Sequence, residues 1–76
     1  MNKNERKQLT TAIGLIDNAI DIINNVIEQE EEKLSNLEEH FSETEMYEQC
    51  ENAIDILTEC VDDLATVTEN INDVTA

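Results

Sequence analysis

Proline and tryptophan are absent from this chain, and glycine, phenylalanine and tyrosine occur once each, at Gly14, Phe41 and Tyr47. No Pro and a single Gly cannot supply the turns of an all-β fold or the loops of an α/β enzyme. Basic residues are nearly as scarce. Lys3, Arg6, Lys7 and Lys33 stand against 19 Asp and Glu, a formal net charge of −15. Such a chain is not expected to bind nucleic acid directly, because phosphates are held by Lys and Arg. Nor does it suit an anionic membrane surface. No apolar run reaches the roughly 18 residues of a transmembrane span. The polar start at residues 1–7 is unlike a secretory leader, so the cytoplasm is the expected compartment.

One histidine and two cysteines supply neither a legible metal centre nor a nucleophile–base pair, so no enzyme activity and no cofactor are expected. His40 lacks a Glu-x-x-His partner, since Leu37 occupies the required place, and it reads as a surface residue. Cys50 and Cys60 lie ten positions apart, which is about 15 Å along a continuous helix. They cannot pair with each other there, and they read as reduced thiols in a helix seam.

What the chain does contain is a heptad pattern, twice. Leu9, Ile13, Ile16, Ile20, Ile23, Ile27, Glu30, Leu34, Leu37 and Phe41 alternate steps of four and three, and only Glu30 is polar. Met46, Cys50, Ala53, Leu57, Cys60, Leu64, Val67, Ile71 and Val74 repeat the pattern. Alternating four and three is the seam of long helices lying side by side. The five-residue step from Phe41 to Met46 breaks register. Ser42 and Glu45 there form an S-x-x-E capping box, and Phe41 is placed to staple onto Met46. The 76 residues therefore read as one all-α domain. Helix 1 spans about 4–40, a turn about 40–42 and helix 2 about 43–74, the helices being about 55 Å and about 48 Å long. A short turn makes them antiparallel. The register pairs residues whose numbers sum to 83 or 84, so Leu9 meets Val74 and Ile23 meets Cys60. Glu30 falls opposite Ala53, small enough to let the carboxylate reach water.

One coiled-coil-like hairpin does not use all the apolar surface. Helix 1 has a further stripe at Ala12, Leu15, Ala19, Ile22 and Val26, and helix 2 has Tyr47, Ile54, Ile56 and Val61. Helices in larger bundles carry such wide apolar faces. The expectation is a homodimer in which these nine residues close a four-helix bundle.

The acids are unevenly spread. Residues 1–27 are neutral overall, residues 28–51 carry −9 and residues 52–76 carry −6. Outward positions include Glu28, Glu31, Glu32, Glu38, Glu39, Glu48, Glu51, Asp55, Glu59, Asp62 and Asp63. Carboxylates one turn apart sit about 5–6 Å from each other. A rigid rod bearing such rows is suited to a basic groove on another protein, with long-range attraction speeding encounter. A solvated, solubilising face is the plainer reading of the same rows.

The basic start Met1-Asn2-Lys3-Asn4-Glu5-Arg6-Lys7, the glutamates at 30–32, the turn Ser42-Glu43-Thr44-Glu45-Met46-Tyr47-Glu48 and the Ala-Ile-Asp phrase at 19–21 and 53–55 together resemble small acidic helical-hairpin proteins of bacteriophages and prophages. The resemblance implies a non-enzymatic inhibitor of host defence that imitates DNA and binds a basic host protein, as an anti-CRISPR does, in the host cytoplasm. The alternative is an interaction or scaffold module. In that case Leu15, Ile22 and their neighbours recruit a partner helix, and the acids only confer solubility.

Overall fold

In the computed structural model the described residues are 1–40 and 45–76, and of residues 38–40 only the backbone is described. The chain forms two helices, α1 (Lys3–His40) and α2 (Glu45–Thr75), packed against each other along their length as an antiparallel hairpin. Its Cα extents are 58 × 15 × 13 Å and its radius of gyration is 17.2 Å. A globular domain of this length has a radius of gyration of about 11 Å. The hairpin is a rod as long as α1 itself.

The start of α1 is capped on both sides. The Asn2 side chain accepts a hydrogen bond from the Glu5 amide at 2.8 Å, and the Glu5 carboxylate accepts one from the Asn2 amide at 3.1 Å. This reciprocal box satisfies two amides that the first turn leaves without helical partners. It starts the helix at Lys3, one residue before the position expected from the sequence. At the far end the Ala76 amide donates to the Asn72 carbonyl at 3.0 Å. The Thr75 hydroxyl donates to the same oxygen at 3.1 Å. The corner expected at 40–42, the Ser42 end of the second capping box and the Phe41 staple fall at or beyond the edge of the described residues.

The α1 seam is the one its spacing predicts. Leu9, Ile13, Ile16, Ile20, Ile23, Ile27, Glu30, Leu34 and Leu37 are all half-buried. The α2 seam differs. Cys50, Leu57, Leu64 and Ile71 face α1 as expected, but the row that flanks them inward is Tyr47, Ile54, Val61, Thr68 and Thr75. Ala53 and Cys60 of the expected row remain half-buried, while Met46, Val67 and Val74 stand exposed. Helix α2 has apolar residues on both sides of its central row, and a two-helix contact accommodates only one side fully. At mid-helix Ile54 and Val61 offer more apolar area than Ala53 and Cys60, so burying them gains more. A rigid helix carries its end round with its middle, so Thr68 and Thr75 turn in and Val67 and Val74 turn out.

Among the described residues only Cys50 is buried, at 6% exposure, and none is fully enclosed. A two-helix rod has a seam and no enclosed core. The chain exposes 5737 Å², against roughly 4700 Å² for a compact monomer of its mass.

Candidate functional site

Two surfaces and one side-chain cluster distinguish this rod. The first surface is apolar. Leu15 is 65% exposed and Ile22 64%, with Val26, Ile56, Val67 and Val74 exposed as well. Helical periodicity fixes their direction. Leu15, Ile22 and Val26 lie about a quarter-turn to one flank of the buried row of α1, and Ile56, Val67 and Val74 lie about a quarter-turn to one flank of the row of α2. Because the helices run oppositely, the two flanks turn to the same side of the hairpin. The grooves between the helices agree. An open groove of about 510 Å³ is lined by Lys33, seven residues along from Val26, and by Met46, twenty-one before Val67. A second, of about 320 Å³, is lined by Leu9, Val67, Ile71 and Val74.

The nine residues expected to close a bundle therefore divide. Ala12, Leu15, Ala19, Ile22, Val26 and Ile56 share the apolar side, with Ala12 and Ala19 half-buried at its inner edge. Tyr47, Ile54 and Val61 lie on the opposite flank and are half-buried in the hairpin seam. Spacing alone did not assign them there, because a residue one position from a seam can belong to either flank. Val67 and Val74, which the spacing assigned to the seam, belong instead to the apolar side.

The second surface is acidic. Glu28, Glu31, Glu32, Glu48, Glu51, Asp55, Glu59, Asp62 and Asp63 are all exposed. The side chains of Glu38 and Glu39 lie outside the described set. By helical phase Glu28, Glu31, Glu48, Glu51, Asp55 and Asp62 lie toward the flank opposite the apolar side, and Glu32 and Glu59 point away from the hairpin axis. Asp63 alone among these nine falls at the rim of the apolar side. Apolar and anionic surface are thus segregated around the rod.

The cluster is Glu30, Lys33 and Cys50. Glu30 is the polar residue in the α1 seam. Lys33 reaches back one turn and donates to Glu30 Oε1 at 2.8 Å. Glu30 keeps 19% of its side chain exposed and Lys33 64%. The hydrogen bond from Lys33, followed by that from the Cys50 thiol, holds the Glu30 carboxyl below its usual value. The same bond to Glu30 raises Lys33. Burial, and then the neighbouring Glu30 carboxylate, push the Cys50 thiol up. A thiol held in its neutral form is the opposite of an activated nucleophile. Cys50 and Cys60 are both free thiols.

Three Thr hydroxyls bond back to the carbonyl one turn earlier: Thr10 to Arg6, Thr11 to Lys7 and Thr66 to Asp62, at 3.0–3.1 Å. Thr68 does not, and its Oγ1 is buried without a hydrogen-bond partner. Among the described residues no three His, Cys, Asp or Glu side chains are placed to hold a metal ion. No helix among them is long and apolar enough to cross a membrane.

No protein-family model matches the chain, and no curated protein or solved structure matches it.

Proposed function

We propose that the protein is a non-enzymatic inhibitor that lays its carboxylate rows into the basic groove of a nucleic-acid-binding protein, in place of nucleic-acid phosphates. The observation that carries this reading is the exposure of nine carboxylates along a stiff 58 Å rod with almost no compensating cation. Lys33 is the one basic residue after position 7, and it is already engaged by Glu30. Ordinary soluble helices intersperse both signs, because like charges one turn apart repel. Glu28/Glu31/Glu32 and Glu48/Glu51/Asp55 accept that repulsion. Attraction to a basic cleft repays it on binding and speeds encounter.

The resemblance to phage hairpins makes a host defence nuclease, a CRISPR effector included, the class of target to try first. The test is binding to such enzymes across a salt series, with duplex DNA as competitor. Affinity is expected to fall steeply with salt, and DNA and the protein are expected to exclude each other. Binding that ignores salt, or a ternary complex with DNA, rejects the reading.

The exposure of Leu15 and Ile22 favours a second reading, in which a partner helix docks on the apolar side. There, substitution of Leu15 and Ile22 abolishes target binding, and neutralising Glu28 and Glu31 leaves it intact.

A further inference from the structure

The apolar side has a symmetry that the sequence pattern alone does not reveal. On α1, past Ala12, the residues Leu15, Ala19, Ile22 and Val26 have steps of four, three and four, so these four read the same in both directions about a midpoint between 20 and 21. On α2 the row Met46, Ala53, Cys60, Val67 and Val74 has even steps of seven, and its last four members are centred between 63 and 64. These midpoints sum to 84, the antiparallel pairing that the spacing predicts for the hairpin. The four α1 residues and these last four of α2 are therefore centred at the same height, close to half the length of the rod, and Met46 overhangs them.

We propose that this side is where a second copy of the chain docks, with the two hairpins antiparallel and the dyad axis passing level with residues 20 and 64. A rotation about that axis lays each helix on its own counterpart. On α1 Leu15 then meets Val26 of the second copy, and Ala19 meets Ile22. On α2 Cys60 meets Val67, and Ala53 meets Val74. Three of these four contacts set a small residue against a larger one, which is how facing layers interdigitate.

Area and charge both point to a second copy as the occupant. The hairpin exposes about 1000 Å² more than a compact monomer of its mass, and a standard interface takes about 800 Å² from each partner. A chain of net charge −15 approaches itself most readily across the side from which its carboxylates are turned away. Charge also chooses the direction. With both hairpins pointing the same way, two segments of −9, residues 28–51, would lie side by side. In the antiparallel pair each lies beside the open end of the other copy, where Lys3, Arg6 and Lys7 outnumber Glu5 and Asp73. Asp63 is the exception that the geometry must tolerate, since the dyad brings it level with its own mate at the wet rim of the interface.

The experiment is sedimentation equilibrium of the unaltered protein, followed by energy transfer between dyes placed on the N-terminal amines of mixed copies. A dimer is expected, with the N-termini separated by about the length of the rod and so with transfer near zero for a short-range dye pair. Ile22→Ala, mild for the helix, is expected to weaken association about tenfold, and Asp63→Asn to strengthen it. A monomer overturns the proposal. So does a dimer with strong N-terminal transfer, which is the parallel arrangement, or a dimer indifferent to Ile22→Ala while its helical content is unchanged. Target binding through the carboxylate rows uses other surfaces, so its failure leaves this result standing.

Discussion

Val67 and Thr68 are neighbours in the chain and occupy each other's expected places. Thr68 sits in the helix seam with its hydroxyl buried and unpaired, and Val67 stands 44% exposed on the flank. The exchange follows from burying Ile54 and Val61 at mid-helix.

Replacing Thr68 with Val should therefore stabilise the protein. The substitution keeps the shape and removes a desolvated hydroxyl, a gain of about 1 kcal/mol. For a domain of this size that raises the melting temperature by about 4–8 °C. Thermal unfolding followed by circular dichroism checks it. If Thr68→Val melts lower than the parent, the Thr68 hydroxyl has a partner in solution.

Asn2→Ala removes one half of the reciprocal cap with Glu5. The expected loss is about 1 kcal/mol, within the range for helix N-caps. The first-turn amides of α1 should exchange faster, and exchange in α2 should change less. Equal exchange at Glu5 in parent and variant would show that the cap forms no stable bond.

Cys60, half-buried in the hairpin and covered further only where two copies associate, should react with alkylating reagents before Cys50 near pH 8 at concentrations dilute enough to keep the chain monomeric. Glu30→Gln should speed Cys50, because it removes one of the two causes that raise the thiol, burial remaining. Mass spectrometry after timed quenching reads both rates. A Cys50 that reacts as fast as Cys60 would mean that the seam opens freely at this point.

Lys33→Ala should destabilise the protein only within a pH window. The Glu30 carboxyl is lowered, so its contribution is present above the ordinary carboxyl value and is lost as pH falls through the folded one. Lys33 is raised, so its contribution is present below the ordinary lysine value and is lost as pH rises through the higher folded one. The difference in denaturation midpoint between parent and Lys33→Ala should be clear near neutrality and vanish in acid. A difference that persists after Glu30 has taken up its proton would assign it to packing of the lysine stem.

Neutralising Glu28, Glu31, Glu51 and Asp55 as Gln or Asn should weaken binding to a basic target by tenfold or more and flatten its salt dependence, on the order of one counterion lost per contact removed. Helical content should hold or rise, because like-charge repulsion within each turn is relieved. Unchanged affinity would assign these rows to solubility.

The hairpin and the α1 seam were legible because Leu9 through Leu37 keep one spacing with a single polar interruption. The exposed acids were legible because the same spacing left them no inward place. The α2 seam was not, since Ala53 and Ile54, or Cys60 and Val61, satisfy the pattern equally well. Side-chain volume decides between them, and a count of spacings does not weigh volume. The partner of Glu30 was missed because cross-helix pairing says nothing of a long Lys33 side chain reaching back along its own helix. The N-terminal cap had a signal, the Asn-x-x-Glu of residues 2–5. It is the same device as the Ser42–Glu45 box, written with Asn.

One rod carries two surfaces with opposite responses to salt. Sedimentation equilibrium from about 0.1 M to about 1 M salt, over which the Debye length falls from ~10 Å to ~3 Å, tests that separation most directly. A particle of twice the 8.6 kDa chain mass is expected, held together more tightly as salt rises, because apolar contacts join the copies and the net charge of −15 on each repels the other. A monomer throughout, or a dimer that falls apart as salt is added, contradicts it.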